Sequence, residues 1–249
     1  MRQIHFQPNT ASWSCDVIAC DVLFVGPHPD DVEMAAAGTI LRLVAQGFRC
    51  GIVDCTRGEK GSRGSAAERL LEAAAAAKLL GVVARDNLGL ADTSVVVDDA
   101  STRALVAAIR AAKPRLLFAP VERDVHPDHT AVAQLATRSF FHAGLRNFAP
   151  ELGAPHRPRL LLRYPGNIPV EPSLAIDISD LVDRKAEVIR CYQSQLAPND
   201  RAHLLQSVDV LERAQARDRF NGMRIGCVAA EPFVIDGPLP LRDLSSLMA

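Results

Sequence analysis

His28-Pro-Asp-Asp31 and His126-Pro-Asp-His129 gather three histidines and three aspartates into two short clusters nearly a hundred positions apart. Between them they can offer two imidazole nitrogens and one carboxylate oxygen to a single divalent ion. That is the ligand set of a hydrolytic zinc site with one position left open for water. His28 and Asp31 stand three residues apart where a loop should turn into a helix, so both side chains can point the same way. Asp30 points elsewhere and is free to act as a general base. In the second cluster one histidine can reach the metal while the other faces the substrate, and the spacing leaves open which does which. The substrate-facing ring would stabilise a tetrahedral oxyanion or protonate a leaving amine, with Asp128 holding its tautomer and raising its pKa. An acidic helix cap would account for Pro-Asp-Asp alone, but not for a matching cluster at a second strand end. Zinc lowers the pKa of water towards ~7 and polarises a carbonyl, which makes amide hydrolysis feasible.

Each cluster needs a strand to deliver it, and an apolar run precedes each: Val22–Gly26 and Arg115–Ala119. Further strands are expected at Arg49–Cys55, Asn87–Leu90, Leu160–Tyr164 and Leu174–Ile178, and a last one at the end of Ile225–Ile235. Helices are expected over Val32–Gln46, Ala66–Leu80, Ser101–Lys113, His129–Ala143, Asp180–Gln195 and Ser207–Phe220, several of them closed by glycine or proline. Strands alternating with helices imply right-handed βαβ units, hence a Rossmann-like α/β fold with a mostly parallel sheet flanked by helices. Ligands of such sheets bind beyond the carboxyl ends of the strands, where both clusters fall.

At 249 residues and 48% hydrophobic composition, the chain suits one large α/β domain (21–249) behind a short N-terminal extension (1–20). A net charge of −1 argues against nucleic-acid or membrane partners recruited by bulk charge. The six cysteines form no CxxC pair or disulfide framework, and no signal-peptide or membrane-spanning stretch is visible, so the expected location is cytoplasmic. Arg57 and Arg69 flank the glycine-rich stretch Gly58–Gly64, which reads as a mobile surface loop. Either arginine could grip a substrate carboxylate. Arg63 is read as solvated, and Tyr164 lies in a segment that could face the site. A nucleotide-binding protein is the competing class, disfavoured because two acids replace G-x-G-x-x-G after the first strand.

Gly26-Pro-His-Pro-Asp-Asp-Val-Glu33 with Gly38-Thr39, Thr56-Arg-Gly-Glu59 and His126-Pro-Asp-His129 resemble the LmbE/PIG-L-type N-acetyl-sugar deacetylases. Arg69, Leu88-Gly-Leu-Ala-Asp92, Pro155-His-Arg-Pro158, Asp177-Ile-Ser179 and Tyr192-Gln-Ser-Gln195 extend the likeness towards the bacillithiol-pathway branch. The resemblance covers roughly residues 21–235 and implies His28, Asp31 and His129 as metal ligands and Asp30 as general base. It makes His126 the oxyanion stabiliser or acid, Asp128 its orienting partner, and Arg69 a residue near the substrate. It further implies one Zn2+ per chain, with Fe2+ as an alternative, a Rossmann-like fold and a homo-oligomer, commonly a hexamer. The implied reaction removes acetyl from an N-acetylglucosamine-type glycoside, with N-acetylglucosaminyl-malate preferred over chitobiose-like or inositol-linked substrates. Relatives often carry arginine where this chain has Val125.

Overall fold

The computed structural model describes residues 19–196, 209–239 and 243. Most of the expected N-terminal extension, and the first residues of the helix expected from Ser207, lie outside them. The elements run β1 (Val22–Gly26), α1 (Asp31–Ala45), β2 (Cys50–Thr56), α2 (Ala66–Leu80), β3 (Ala84–Leu90), α3 (Asp99–Ala112), β4 (Leu116–Pro120) and α4 (Pro127–Ala143). Then come β5 (Leu160–Tyr164), β6 (Leu174–Asp177), α5 (Val182–Ile189), α6 (Gln193–Leu196), α7 (Val210–Ile225) and β7 (Ala230–Ile235). No helix among the described residues is long and apolar enough to cross a membrane.

The sheet order is β3-β2-β1-β4-β5-β7-β6, parallel from β3 through β5, with β7 antiparallel to both its neighbours. β1 is buried along its whole length, as a central strand covered on both faces must be. Val22 and Phe24 enter the core shared with α1, α2 and α5, while Leu23 and Val25 enter the core under α3 and α4. The chain leaves β1 for β2 on one side and returns to it through β4 on the other. The two histidine clusters lie in the loops that leave the carboxyl ends of β1 and β4 at this reversal, the place where open α/β sheets bind ligands.

Helix ends are set by local chemistry. Ser65 and Glu68 form a reciprocal capping box on α2, and Gly81 closes it in the left-handed conformation. α4 starts at Pro127, two residues before its expected start, because the ring of His126 accepts the Asp128 amide and caps it. The continuous helix expected over Asp180–Gln195 is broken into a 3-10 turn at Ser179–Leu181, then α5 and α6. The break serves distant partners, since the Tyr192 hydroxyl donates to Glu33 Oε1 at 2.6 Å and the Ser194 amide donates to Glu72 Oε1 at 2.7 Å.

β3 begins three residues earlier than its apolar residues suggest, since Arg85 belongs to the strand and turns inward. Arg85 donates from Nε and Nη2 to the two oxygens of Asp54, at 2.8 and 3.0 Å, and from Nη1 to Glu33. Glu33 lies in the first turn of α1, so this buried network fastens β2, β3 and the start of the helix that carries Asp31. Arg85→Met should leave both carboxylates without their guanidinium and cost ~3–5 kcal/mol in urea unfolding; a loss under ~1 kcal/mol would show the network to be dispensable.

Candidate active site

The first cluster occupies the β1–α1 connection and the second the start of α4, so residues a hundred positions apart meet over the ends of β1 and β4. His28 Nδ1 lies 3.0 Å from Asp31 Oδ2, and His129 Nε2 lies 3.2 Å from the same oxygen. The ring centroids are 5.6 Å apart, and ligand atoms of His28, Asp31 and His129 all fall within 4.8 Å of one another.

The other nitrogen of each ring meets a further carboxylate. His28 Nε2 lies 3.2 Å from Asp92 Oδ1 and 3.3 Å from Asp128 Oδ2, and His129 Nδ1 lies 3.3 Å from Asp124 Oδ2. A carboxylate behind a ligating imidazole fixes its tautomer and raises its basicity. Backbone amides hold these acids in turn. Asp128 accepts from Thr93 N at 2.7 Å and Val95 N at 3.2 Å, and Asp92 accepts from Lys60 N at 2.7 Å. Asp124 accepts from His126 N, Asn167 N and Asn167 Nδ2. Thr93 does so from a strained backbone, adopting φ 61°, a region a β-branched side chain rarely enters. Gly166 must be glycine because a Cβ there would stand 2.3 Å from Asp124 Oδ2 and 2.7 Å from His129 Nδ1.

The electrostatics fit a cation. Burial works against a charge on His28, yet its hydrogen bonds to Asp128, Asp31 and Asp92 outweigh it and push the imidazole up to about 12. Burial likewise opposes a charged His129, but Asp31 and Asp124 lift it to about 10. Asp31 goes the other way: burial would raise it, and the His129 and His28 rings hold it well below the usual carboxylate range. Protons held this tightly mark a place where positive charge is in demand. Two nitrogen donors and one carboxylate suit zinc or ferrous iron better than magnesium or calcium.

Asp30 stands outside this set. Its backbone takes φ 123°, and instead of capping α1 its Oδ1 lies 2.9 Å from Arg69 Nη2. Burial raises its pKa, the Arg69 charge offsets part of the rise and Asp31 adds to it, leaving the carboxyl at about 7. His126 is half-buried and shifts below the ordinary imidazole range, first through burial and then through the neighbouring His28 and His129. Its Nδ1 accepts the Asp128 amide at 3.2 Å, so the neutral ring carries its proton on Nε2.

Several expected roles are corrected. The Asp128 carboxylate does not orient His126; it accepts from His28 and two amides, and His126 is shifted down rather than up. Arg69 is buried beneath the glycine-rich loop with its Nη2 on Asp30 and the Pro29 carbonyl, so that edge of the guanidinium positions Asp30, while its buried Nε has no hydrogen-bond partner. Tyr164 is 1% exposed and donates its hydroxyl to Val25 O at 2.7 Å, which makes it a core residue. Arg63 is not simply solvated, since it exchanges hydrogen bonds with Gln195. With Lys60 tied to Asp92 as well, the loop expected to be a mobile surface segment is fastened at both ends. Arg57 is exposed one residue beyond Thr56, whose amide donates to the Pro27 carbonyl of the His28 loop. Sequence reasoning missed Asp124, Thr93, Gly166 and Asn167; the available signals were an acid two residues before His126 and the turn residues Pro165-Gly166-Asn167.

The family model described as PIG-L, GlcNAc-PI de-N-acetylase, matches residues 23–140. A diacetylchitobiose deacetylase of Thermococcus kodakarensis is 30% identical over 190 residues, 72% of this chain and 71% of that protein. The chain belongs to the PIG-L family. A 1D-myo-inositol 2-acetamido-2-deoxy-alpha-D-glucopyranoside deacetylase of Streptomyces avermitilis is 31% identical over 54% of this chain and 57% of its own length. Among solved structures, a conserved protein of Thermus thermophilus is 38% identical with a TM-score of 0.80, over 91% of this chain and 98% of that one. The matches reach the PIG-L family and its deacetylases without singling out the bacillithiol branch.

Arg69 holds the Asp30 pKa down, and a base works only above its pKa. Arg69→Met should therefore move the acid limb of the kcat/KM profile to higher pH while metal content stays the same. An unmoved limb would separate Arg69 from the base.

Proposed function

We propose that this PIG-L-family chain is a zinc-dependent N-deacetylase acting on an N-acetylglucosamine-type glycoside, with N-acetylglucosaminyl-malate as the preferred substrate. The observation that carries the reading is one carboxylate oxygen, on Asp31, lying 3.0 and 3.2 Å from two imidazoles, with a second aspartate beside it at a pKa of about 7. His28, Asp31 and His129 would hold the ion, and ferrous iron would suit the same donors. When bound, it would lower the pKa of a water molecule and polarise the acetyl carbonyl.

The remaining steps belong to the protein. Asp30 takes the proton of the attacking water; a carboxyl near neutrality is half ionised at working pH yet basic enough to receive it. Arg69 keeps that carboxylate aimed. His126 offers Nε2–H to the oxyanion as the carbonyl carbon becomes tetrahedral, and its depressed pKa keeps the ring a neutral donor. The proton collected by Asp30 then goes to the amine as the C–N bond breaks, giving acetate and the free amino sugar. Imidazoles and carboxylates line the centre, which fits hydrolysis by an activated water better than a covalent route.

Arg57, exposed at the end of β2, is the arginine proposed to meet an acidic aglycone. Diacetylchitobiose-like and inositol-linked glycosides are the competing substrates, in keeping with the named relatives. Acetate release should be measured across acidic and neutral N-acetylglucosaminides for the native chain and Asp30→Asn. The expected result is a preference for the malate glycoside, and a fall of ~100-fold or more in Asp30→Asn with the ion retained. Equal rates on neutral substrates would remove the malate assignment, and full activity in Asp30→Asn would remove the base.

A further inference from the structure

The turn Pro165–Asn167, beyond β5, touches the candidate centre and also meets two arginines of α7. Gly166 makes room for His129 and Asp124. Arg213 Nη2 donates to Asn167 Oδ1 at 3.2 Å, and Arg217 Nη1 donates to Pro165 O at 3.4 Å. Asn167 carries the contact inward: its Nδ2 donates to Asp124 Oδ1 at 2.9 Å, and Asp124 Oδ2 lies 3.3 Å from His129 Nδ1. Arg217 also donates to Met34 O, in the first turn of the helix that carries Asp31. Two guanidinium groups one helical turn apart therefore border the loops that hold His129 and Asp31.

The two arginines are held differently. Arg217 is fixed by carbonyls of two elements, and its Nε faces Asp218 Oδ1 at 3.6 Å. Arg213 is half-buried and gives Nη2 to a neutral amide oxygen. Burial, and then the Arg217 charge, hold its pKa below the usual guanidinium range, and Asp124 offsets only part of this. Asp124 is itself engaged by His129, the His126 amide and two donors of Asn167. A guanidinium whose charge is disfavoured where it stands gains from an arriving anion, and its planar fork suits a carboxylate.

The order of the sheet sets this pair apart from Arg57. Arg57 follows β2, whereas Arg213 leans on the loop after β5, and between them lie β1 and β4, the strands that deliver His28, Asp31 and His129. We infer that Arg213, backed by Arg217, is a further specificity-determining residue of the site, receiving a carboxylate of the substrate on the flank opposite Arg57. The inference rests on the deacetylase reading with an acidic aglycone and adds to it the residue that discriminates. Arg217 acts by position, holding the turn and keeping Arg213 short of negative charge.

The test measures kcat/KM for acetate release from N-acetylglucosaminyl-malate and from a neutral methyl N-acetylglucosaminide, in the native full chain, Arg213→Gln and Arg213→Lys, with bound zinc counted in each. Arg213→Gln should lower the malate-to-neutral ratio ~10-fold or more, chiefly through KM, with bound zinc unchanged. Arg213→Lys keeps the charge without the fork and should retain part of the preference. A ratio unchanged in Arg213→Gln, or a loss shared equally by both substrates, would reduce Arg213 to a support for Asn167 and overturn the inference, while the deacetylase reading stands. A native chain without preference for the malate glycoside would remove the acidic aglycone and this inference together. Failure of the native chain to release acetate from either substrate would overturn the deacetylase reading itself.

Discussion

Negative charge gathered around two imidazoles and withdrawn from water is the constraint on which the site depends. Asp92 and Asp128 converge on His28, Asp124 stands behind His129, and Asp31 lies between the two rings. Carboxylates in such surroundings are costly unless amides, guanidinium groups or cations answer them. The backbone answers some of the charge, and the imidazoles answer the rest by holding protons far more tightly than a free histidine does. A divalent ion would replace those protons with a fixed charge, which is why the same arrangement that shifts the pKa values also reads as a metal centre.

The fold supplies this concentration of charge by bringing two helix starts to one place. The β1–α1 and β4–α4 connections emerge side by side at the reversal of strand order, and each delivers its cluster where helical amides are still unpaired. Two of the four non-glycine residues with positive φ among the described residues sit at the same spot. Asp30 at φ 123° and Thr93 at φ 61° are both non-glycine residues in the left-handed half of conformational space. Each is held there by what it does, Asp30 presenting its carboxylate to Arg69 and Thr93 its amide to Asp128. The buried Arg85–Asp54–Glu33–Tyr192 network lies behind them and resists relaxation.

What could be read from the residues alone follows from how local the information is. β1 and β4 were legible because strands buried on both faces are apolar throughout, and the ligand clusters because their spacing is confined to four residues. β3 is longer than its sequence suggests because Arg85 and Asp86 have the composition of a loop, and only the fold brings Arg85 to acids from β2 and α1. The helix expected over Asp180–Gln195 was broken by Tyr192 and Ser194 reaching for Glu33 and Glu72, partners more than a hundred residues away. The fate of Asp128 was hidden in the same way. Its neighbour in sequence is His126, but its partner in space is His28, and only the three-dimensional crossing of the two loops decides between them.

Zinc K-edge absorption on the full chain loaded with one equivalent of metal probes the central claim most directly. Nitrogen and oxygen scatterers alone are expected at ~2.0–2.2 Å, with the outer-shell signature of two imidazoles. A sulfur shell at ~2.3 Å, or a spectrum lacking imidazole scattering, would contradict it.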